Sequence, residues 1–221
     1  MSRMAHLAAL RKEFDDVLEY RAELKEKREV KTSADAKDVQ EFEIEIKREA
    51  MVSLLDGKMV AHVYCPDAAS VVKAIELSQT YKFKMKLVLS GDSWKAAEEI
   101  AKEQLEVLLD PDLTYWETDE ERHEEILRIP LSVFAKAKIK FAFRTENSNF
   151  GSSYMWYQAA TAVKYGLSRS DAIKAGTIYP AEILGLGDRL GSIEPGKDAN
   201  LLLLTGDPLD TMTWVDGVFV E

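Results

Sequence analysis

Residues 58–110 read KMVAHVYCPDAASVVKAIELSQTYKFKMKLVLSGDSWKAAEEIAKEQLEVLLD. Short apolar runs alternate here with stretches of helical period. Residues 59–64 predict a strand. Residues 67–80 place Val71, Val72, Ile75 and Leu77 at helical steps, and 85–89 predict a second strand. Asp92 or Ser93 then starts a helix carrying Trp94, Ala97, Ile100 and Ala101. Residues 105–109 predict a third strand, ended by Asp110 and Pro111. Strand–helix repeats of this length predict a mainly parallel α/β sheet with right-handed crossovers.

The same reading extends outward. On the N-terminal side, Leu7, Leu10, Phe14, Val17, Leu18 and Leu24 recur at three- and four-residue steps, which predicts an amphipathic helix. The run from Thr32 to Asp35 interrupts it, and Ser33 or Asp35 is placed to cap a second helix with Val39, Phe42, Ile46, Leu54 and Leu55 as its stripe. On the C-terminal side, the acidic and aromatic residues 112–128 read as a loop with a short helix. Residues 131–138 read as a helix and 139–145 as a fourth strand. Ser152 or Ser153 caps a helix holding Met155, Trp156, Ala159, Ala160 and Val163, which Gly166 ends in the left-handed conformation. Tyr154, Trp156 and Tyr157 at its start are expected to pack in the core. Ser168 and Asp171 form a capping box with Asp in place of Glu, and 181–186 give a further short helix. The tail turns to β at 201–204 and 214–220, and Glu194-Pro195-Gly196-Lys197 makes a turn before it.

The chain has 221 residues, 46% hydrophobic and 31% charged, enough for a sizeable core. Its net charge of −10 disfavours nucleic acid as a partner, because phosphate binding needs a basic face. Cys65 is the single cysteine, so no internal disulfide forms, which fits a reducing, cytoplasmic setting. No apolar run approaches the ~20 residues of a membrane span, and the charged N-terminus does not read as a secretory signal.

The most specific segment is the tail. Thr177-Ile178-Tyr179-Pro180-Ala181-Glu182-Ile183-Leu184-Gly185 is followed by Arg189-Leu190-Gly191-Ser192-Ile193-Glu194-Pro195-Gly196-Lys197-Asp198-Ala199-Asn200-Leu201, then by Gly206-Asp207-Pro208-Leu209. This resembles the C-terminal signature of the amidohydrolase superfamily, its imidazolonepropionase-like group in particular. Ala61–His62–Val63–Tyr64 resembles the end of that group's fifth barrel strand, Leu87-Val88-Leu89-Ser90-Gly91 the sixth, and Phe141-Ala142-Phe143-Arg144-Thr145-Glu146 the eighth. The resemblance covers nearly all of this chain but only the second half of the family's length.

What the resemblance implies is a partial TIM barrel of about four βα units, with N-terminal helices and a small C-terminal β segment belonging to a composite sandwich domain. The expected divisions are 1–56 helical, 57–185 half-barrel and 186–221 β. The family's chemistry uses one or two divalent metals to activate water against an amide or related C–N carbon. Its ligands are a His-x-His pair on the first strand, Lys or Glu on the fourth, His on the fifth and sixth, and Asp on the eighth. This chain holds three histidines, His6, His62 and His123, so no two stand two residues apart. His62 matches the fifth-strand metal ligand. Tyr64 stands where many members have a second His. Ser90 occupies the sixth-strand ligand position and is not an ordinary zinc ligand. Glu146 takes the place of the eighth-strand Asp as the catalytic carboxylate, one methylene longer. Tyr64, Ser90 and Asn147 are the expected substrate-pocket residues. Against this stands a plainer reading, in which His62 is a buried, hydrogen-bonded strand-end histidine and Glu146 a solvated carboxylate.

The expectation is therefore an amidohydrolase-like protein acting on non-peptide C–N bonds, with no metal bound by this chain alone and zinc or another divalent ion bound only where a partner completes the site. Half a barrel exposes two strand edges and an apolar interior, which stable proteins cover. The cover is either a second copy, making a homo-oligomer, or a complementary chain carrying the first half. The alternative function is a non-catalytic binding or structural subunit that completes a partner's barrel. A small-molecule substrate fits the enzyme reading; its identity is not legible, because fold does not fix function.

Overall fold

The alternation of Met85, Leu87 and Leu89 with Lys86 and Val88 is realised as a strand whose odd residues are buried and whose even ones are half-buried. In the computed structural model, which describes residues 3–32, 46–145 and 154–220, it lies inside a four-stranded sheet. The elements in chain order are α1 (Arg3–Thr32), α2 (Ile46–Leu55), β1 (Ala61–Cys65), α3 (Ala68–Tyr81), β2 (Met85–Leu89), a 3₁₀ turn at Ser93–Ala96, α4 (Ala97–Lys102) and β3 (Val107–Leu109). There follow β4 (Tyr115–Asp119), β5 (Glu124–Arg128), α5 (Pro130–Lys136), β6 (Phe141–Phe143), α6 (Met155–Lys164), α7 (Arg169–Ala175), α8 (Ile178–Ile183), β7 (Leu201–Leu204) and β8 (Val215–Phe219).

The main sheet has the order β1-β2-β3-β6. β2 pairs parallel with β3, Leu87 opposite Val107, and β3 pairs parallel with β6, Val107 opposite Phe141. Each strand follows a helix, as a parallel sheet requires. The sheet is open, with β1 and β6 at its edges.

The chain divides into two compact units, Met1–Ala61 with Ile75–Met85, and His62–Ala74 with Lys86–Glu221. In the first, α1 packs on α2 and on the end of α3. Its buried stripe is Phe14, Val17, Tyr20 and Leu24. Phe14 stacks on Tyr81 at 4.5 Å and on Phe83 at 5.2 Å, and the Tyr81 hydroxyl donates to Asp15 at 2.9 Å. Leu10 and Leu18, expected on the buried stripe, are exposed instead. The reason is that Tyr20, whose ring is apolar and whose hydroxyl meets Glu49, shifts the buried face round the helix. The expected caps at Ser33 and Asp35, with Val39 and Phe42, lie outside the described residues.

In the second unit several helix ends repeat one device. After α4, Gln104 adopts φ 52°, its N–H meets the Ala101 carbonyl at 3.1 Å, and the next N–H, of Leu105, reaches Ile100 at 3.1 Å. After α5, Lys138 adopts φ 55°, with Lys138 bonded to Ala135 and Ile139 to Phe134. After α6, the expected Gly166 does the same at φ 100°, ahead of the buried Leu167. These are left-handed helix ends that satisfy terminal carbonyls and drop an apolar residue toward the core. Further on, Ser168 caps α7 as expected, accepting from the Asp171 N–H at 3.0 Å.

At the N-terminal ends of the strands, Lys86 binds Glu106 at 2.8 Å and Lys140 binds Glu182 at 2.7 Å, so β2, β3 and β6 are tied to α8. Lys86 also donates to the Ile183 carbonyl. Beyond α8, Gly191 is fixed by crowding: at φ 93°, an added Cβ would lie 2.7 Å from the Ile178 Cα and 2.8 Å from the Thr177 oxygen. The turn at 194–197 closes with the Lys197 N–H on the Glu194 carbonyl, and Gly196 has φ 91°. The Lys197 ammonium then donates to the Gly187 carbonyl at 2.7 Å and to Ser192 at 2.6 Å.

Two sequence expectations are corrected. Residues 112–128 are not a loop with a short helix but an antiparallel hairpin, β4 on β5, with Tyr115 opposite Arg128 and Asp119 opposite Glu124. Its many acids hide a β pattern that Tyr115, Trp116, Thr118, Ile126 and Leu127 carry. Asp119 turns the chain by accepting from the Glu121 and Arg122 N–H groups, and His123 sits at φ 54°. Secondly, Tyr154 and Tyr157 are exposed rather than packed in the core.

Lys138 is exposed and left-handed, so Lys138→Gly should stabilise the chain by about 0.5–1 kcal/mol, the relieved strain less the entropy glycine adds to the unfolded state. A rise in the urea midpoint at unchanged slope checks it.

Candidate functional site

In parallel α/β proteins, sites form at the C-terminal ends of strands, where the loops gather. Here that edge carries Tyr64 and Cys65 from β1, Ser90 after β2, Asp110 after β3, and Arg144 after β6, while His62 lies nearer the start of β1. Each strand alternates. Cys65, Leu87, Leu89, Val107 and Leu109 form the buried row. His62 and Tyr64 are exposed, Tyr64 to 55%, while Val88 and Ser90 are half-buried. The plainer reading of His62 as a buried strand-end histidine is therefore corrected: two-residue periodicity from Cys65 puts the odd positions inward and His62 outward.

Local packing sets the loops. Asp67 caps α3, its Oδ1 accepting the Ser70 N–H at 2.8 Å and the Ser70 hydroxyl at 3.0 Å. Gly91, at φ 51°, lies so close to Pro66 that an added Cβ would meet the Pro66 oxygen at 2.5 Å. The Ser90 N–H donates to the Cys65 carbonyl at 3.3 Å, and Asp92 accepts from the Ala68 N–H at 3.4 Å. The expected capping role of Asp92 for the helix after it is not seen; its carboxylate joins the two loops instead. Ser90 is thereby held beside the end of β1.

The backbone ladder runs one residue past each strand, Asp110 N–H to Leu89 at 3.0 Å and Arg144 N–H to Leu109 at 2.9 Å. The side chains follow. Arg144 is ion-paired with Asp110, which is 9% exposed, and the nearly buried Gln158 of α6 donates to the Arg144 carbonyl at 3.2 Å. A cavity of about 20 Å³ lies between Ser90, Ser93, Asp110, Leu113 and Phe134, roughly room for one water. The sequence reading did not single out Asp110, Arg144 or Gln158. The signal was present only as opposite charges one step after two apolar strands, which does not by itself specify pairing.

The hairpin rises from this same edge. Glu117 accepts from Lys95 at 2.6 Å and from Arg128 at 2.8 Å, and both cations lie within 6 Å of the Trp94 ring. The Lys95 and Arg128 hydrogen bonds hold the Glu117 carboxyl below its usual range.

Glu146 and Asn147 lie outside the described residues, immediately beyond Thr145. His6 and His123 are exposed and far apart in the sequence, one in α1 and one in the hairpin turn. Among the described residues, no three His, Cys, Asp or Glu side chains converge as a metal site would require. Of the expected site residues, the structure brings Tyr64 and Ser90 to one edge, with His62 on the same face of β1 as Tyr64 but nearer the strand's start. One imidazole, a phenol and a hydroxyl do not fit a zinc ion, which asks for three or four N, S or carboxylate donors.

Residues 52–220 match the amidohydrolase family. An amidohydrolase from Thermotoga maritima superposes on 99% of this chain with a TM-score of 0.82 and 28% identity, and the chain covers 55% of that protein. An N-acetylglucosamine-6-phosphate deacetylase from Haemophilus influenzae is 41% identical over 61 residues, 27% of this chain and 16% of its own length. An N-substituted formamide deformylase from Arthrobacter pascens is 28% identical over 107 residues, 44% of this chain and 20% of its own. The chain thus matches a minor part of each curated relative and about half of the solved one.

Cys65 is buried beside this edge, and its thiol is pushed up from 9.0 to about 11 by burial and then by the Asp67 charge. The unfolded thiol ionises first, so this group leaves stability unchanged below pH 9.0 and lowers it as pH rises from 9.0 to about 11. Urea midpoints at pH 8 and pH 10.5 should fall further for the wild-type chain than for Cys65→Ala.

Proposed function

The chain belongs to the amidohydrolase family, and from that premise we propose that it is the second half of a metal-dependent hydrolase of non-peptide C–N bonds, with an incomplete metal site of its own. The observation that carries the reading is the histidine count. Three histidines, at 6, 62 and 123, leave no His-x-His pair anywhere in the sequence. The share of the Thermotoga protein that the chain covers supports the other part: a partial TIM barrel whose four strands are completed by further strands. The names of two relatives, a deacetylase and a deformylase, support removal of a small acyl group as the reaction class.

In this reading 57–185 is the half-barrel, 1–56 a helical region and 186–221 the β part of a composite domain. His62 is a metal ligand and Glu146 the carboxylate that moves a proton, with Tyr64, Ser90 and Asn147 lining the pocket. The Asp110–Arg144 pair fixes where the chain leaves β6 toward Glu146, and Gln158 fixes the same point from α6. Zinc or another divalent ion enters only where a complementary chain or a second copy adds donors, in a cytoplasmic setting. The chain's residues alone do not make that centre, so no catalytic step is assigned to them.

A second reading has a specific observation behind it. Ser90 stands at a strand end where a nitrogen ligand is expected, and nothing added from another chain changes that residue. This favours a non-catalytic subunit that completes a partner's barrel or binds a small molecule.

Elemental analysis after zinc loading and dialysis separates these readings. Expected for the isolated chain is far less than one zinc per chain, unchanged in His62→Ala; one equivalent that His62→Ala abolishes overturns the incomplete site. Light scattering tests the cover: the chain should run as an oligomer or require a companion. A well-behaved monomer binding no hydrophobic dye removes the need for one.

A further inference from the structure

No further inference is drawn: the strongest candidate, the apolar groove of about 540 Å³ under the β7–β8 ribbon, lined by Met155, Trp156, Ile193, Leu201, Leu203 and Phe219, is an unpartnered apolar face, and nothing in the structure shows what covers it.

Discussion

A parallel strand cannot satisfy its own backbone; every N–H and carbonyl in it depends on a neighbour delivered by a helix-long crossover. That constraint organises the second unit. β3 stands between β2 and β6 and is fully paired, and it is also where the ladder overruns, through Asp110 and Arg144. β2 also has a neighbour on either side, and among the described residues β1 and β6 stand at the edges of the sheet. The ribbon repeats the problem on a smaller scale. Among the described residues β7 and β8 pair only with each other, and Leu202, Leu203, Val218 and Phe219 are all more than half exposed. A two-stranded ribbon is marginal in water without a covered face. The chain covers 55% of the Thermotoga protein on which it superposes.

The polar interactions reinforce the strand order at both ends. The Lys86–Glu106 and Lys140–Glu182 pairs hold the starts of three strands against α8. The Asp110–Arg144 pair holds two strand ends. Asp110 is nearly buried and ion-paired with that guanidinium; a buried carboxylate left without a partner would be costly. The exposed pairs, such as Arg169 with Asp207, contribute little to stability by comparison.

Much of this was legible in the residues because local and global preferences agree. β2 and β7 were expected at 85–89 and 201–204 and occur there, since each is an uninterrupted apolar or alternating run bounded by breakers. Gly166, Ser168 and Gly196 each take the conformation their chemistry favours. The hairpin is hidden because residues 115–128 carry six carboxylates, four of them in the strands, and charge masks the β preference; the Lys95 and Arg128 partners of Glu117 come from outside the strand pattern or from its far end. In α1 the expected Phe14, Val17 and Leu24 are buried, Leu10 and Leu18 are not, and Tyr20, which the stripe omitted, is. As for the site, His62, Tyr64 and Ser90 were identifiable from a resemblance, and their exposure follows from strand period. Asp110, Arg144 and Gln158 were not, because strand order makes β3 and β6 neighbours without saying which side chains meet at their ends.

The β4–β5 hairpin occupies the long connection between β3 and α5, and Tyr115 lies directly opposite Arg128. Its two ends therefore emerge side by side, so the excursion adds no span to the crossover beneath it. Such a module is topologically neutral: it can lengthen, shorten or change its tip without altering how β3 leads into α5. Variation in that part of the protein is thereby uncoupled from the order of the strands.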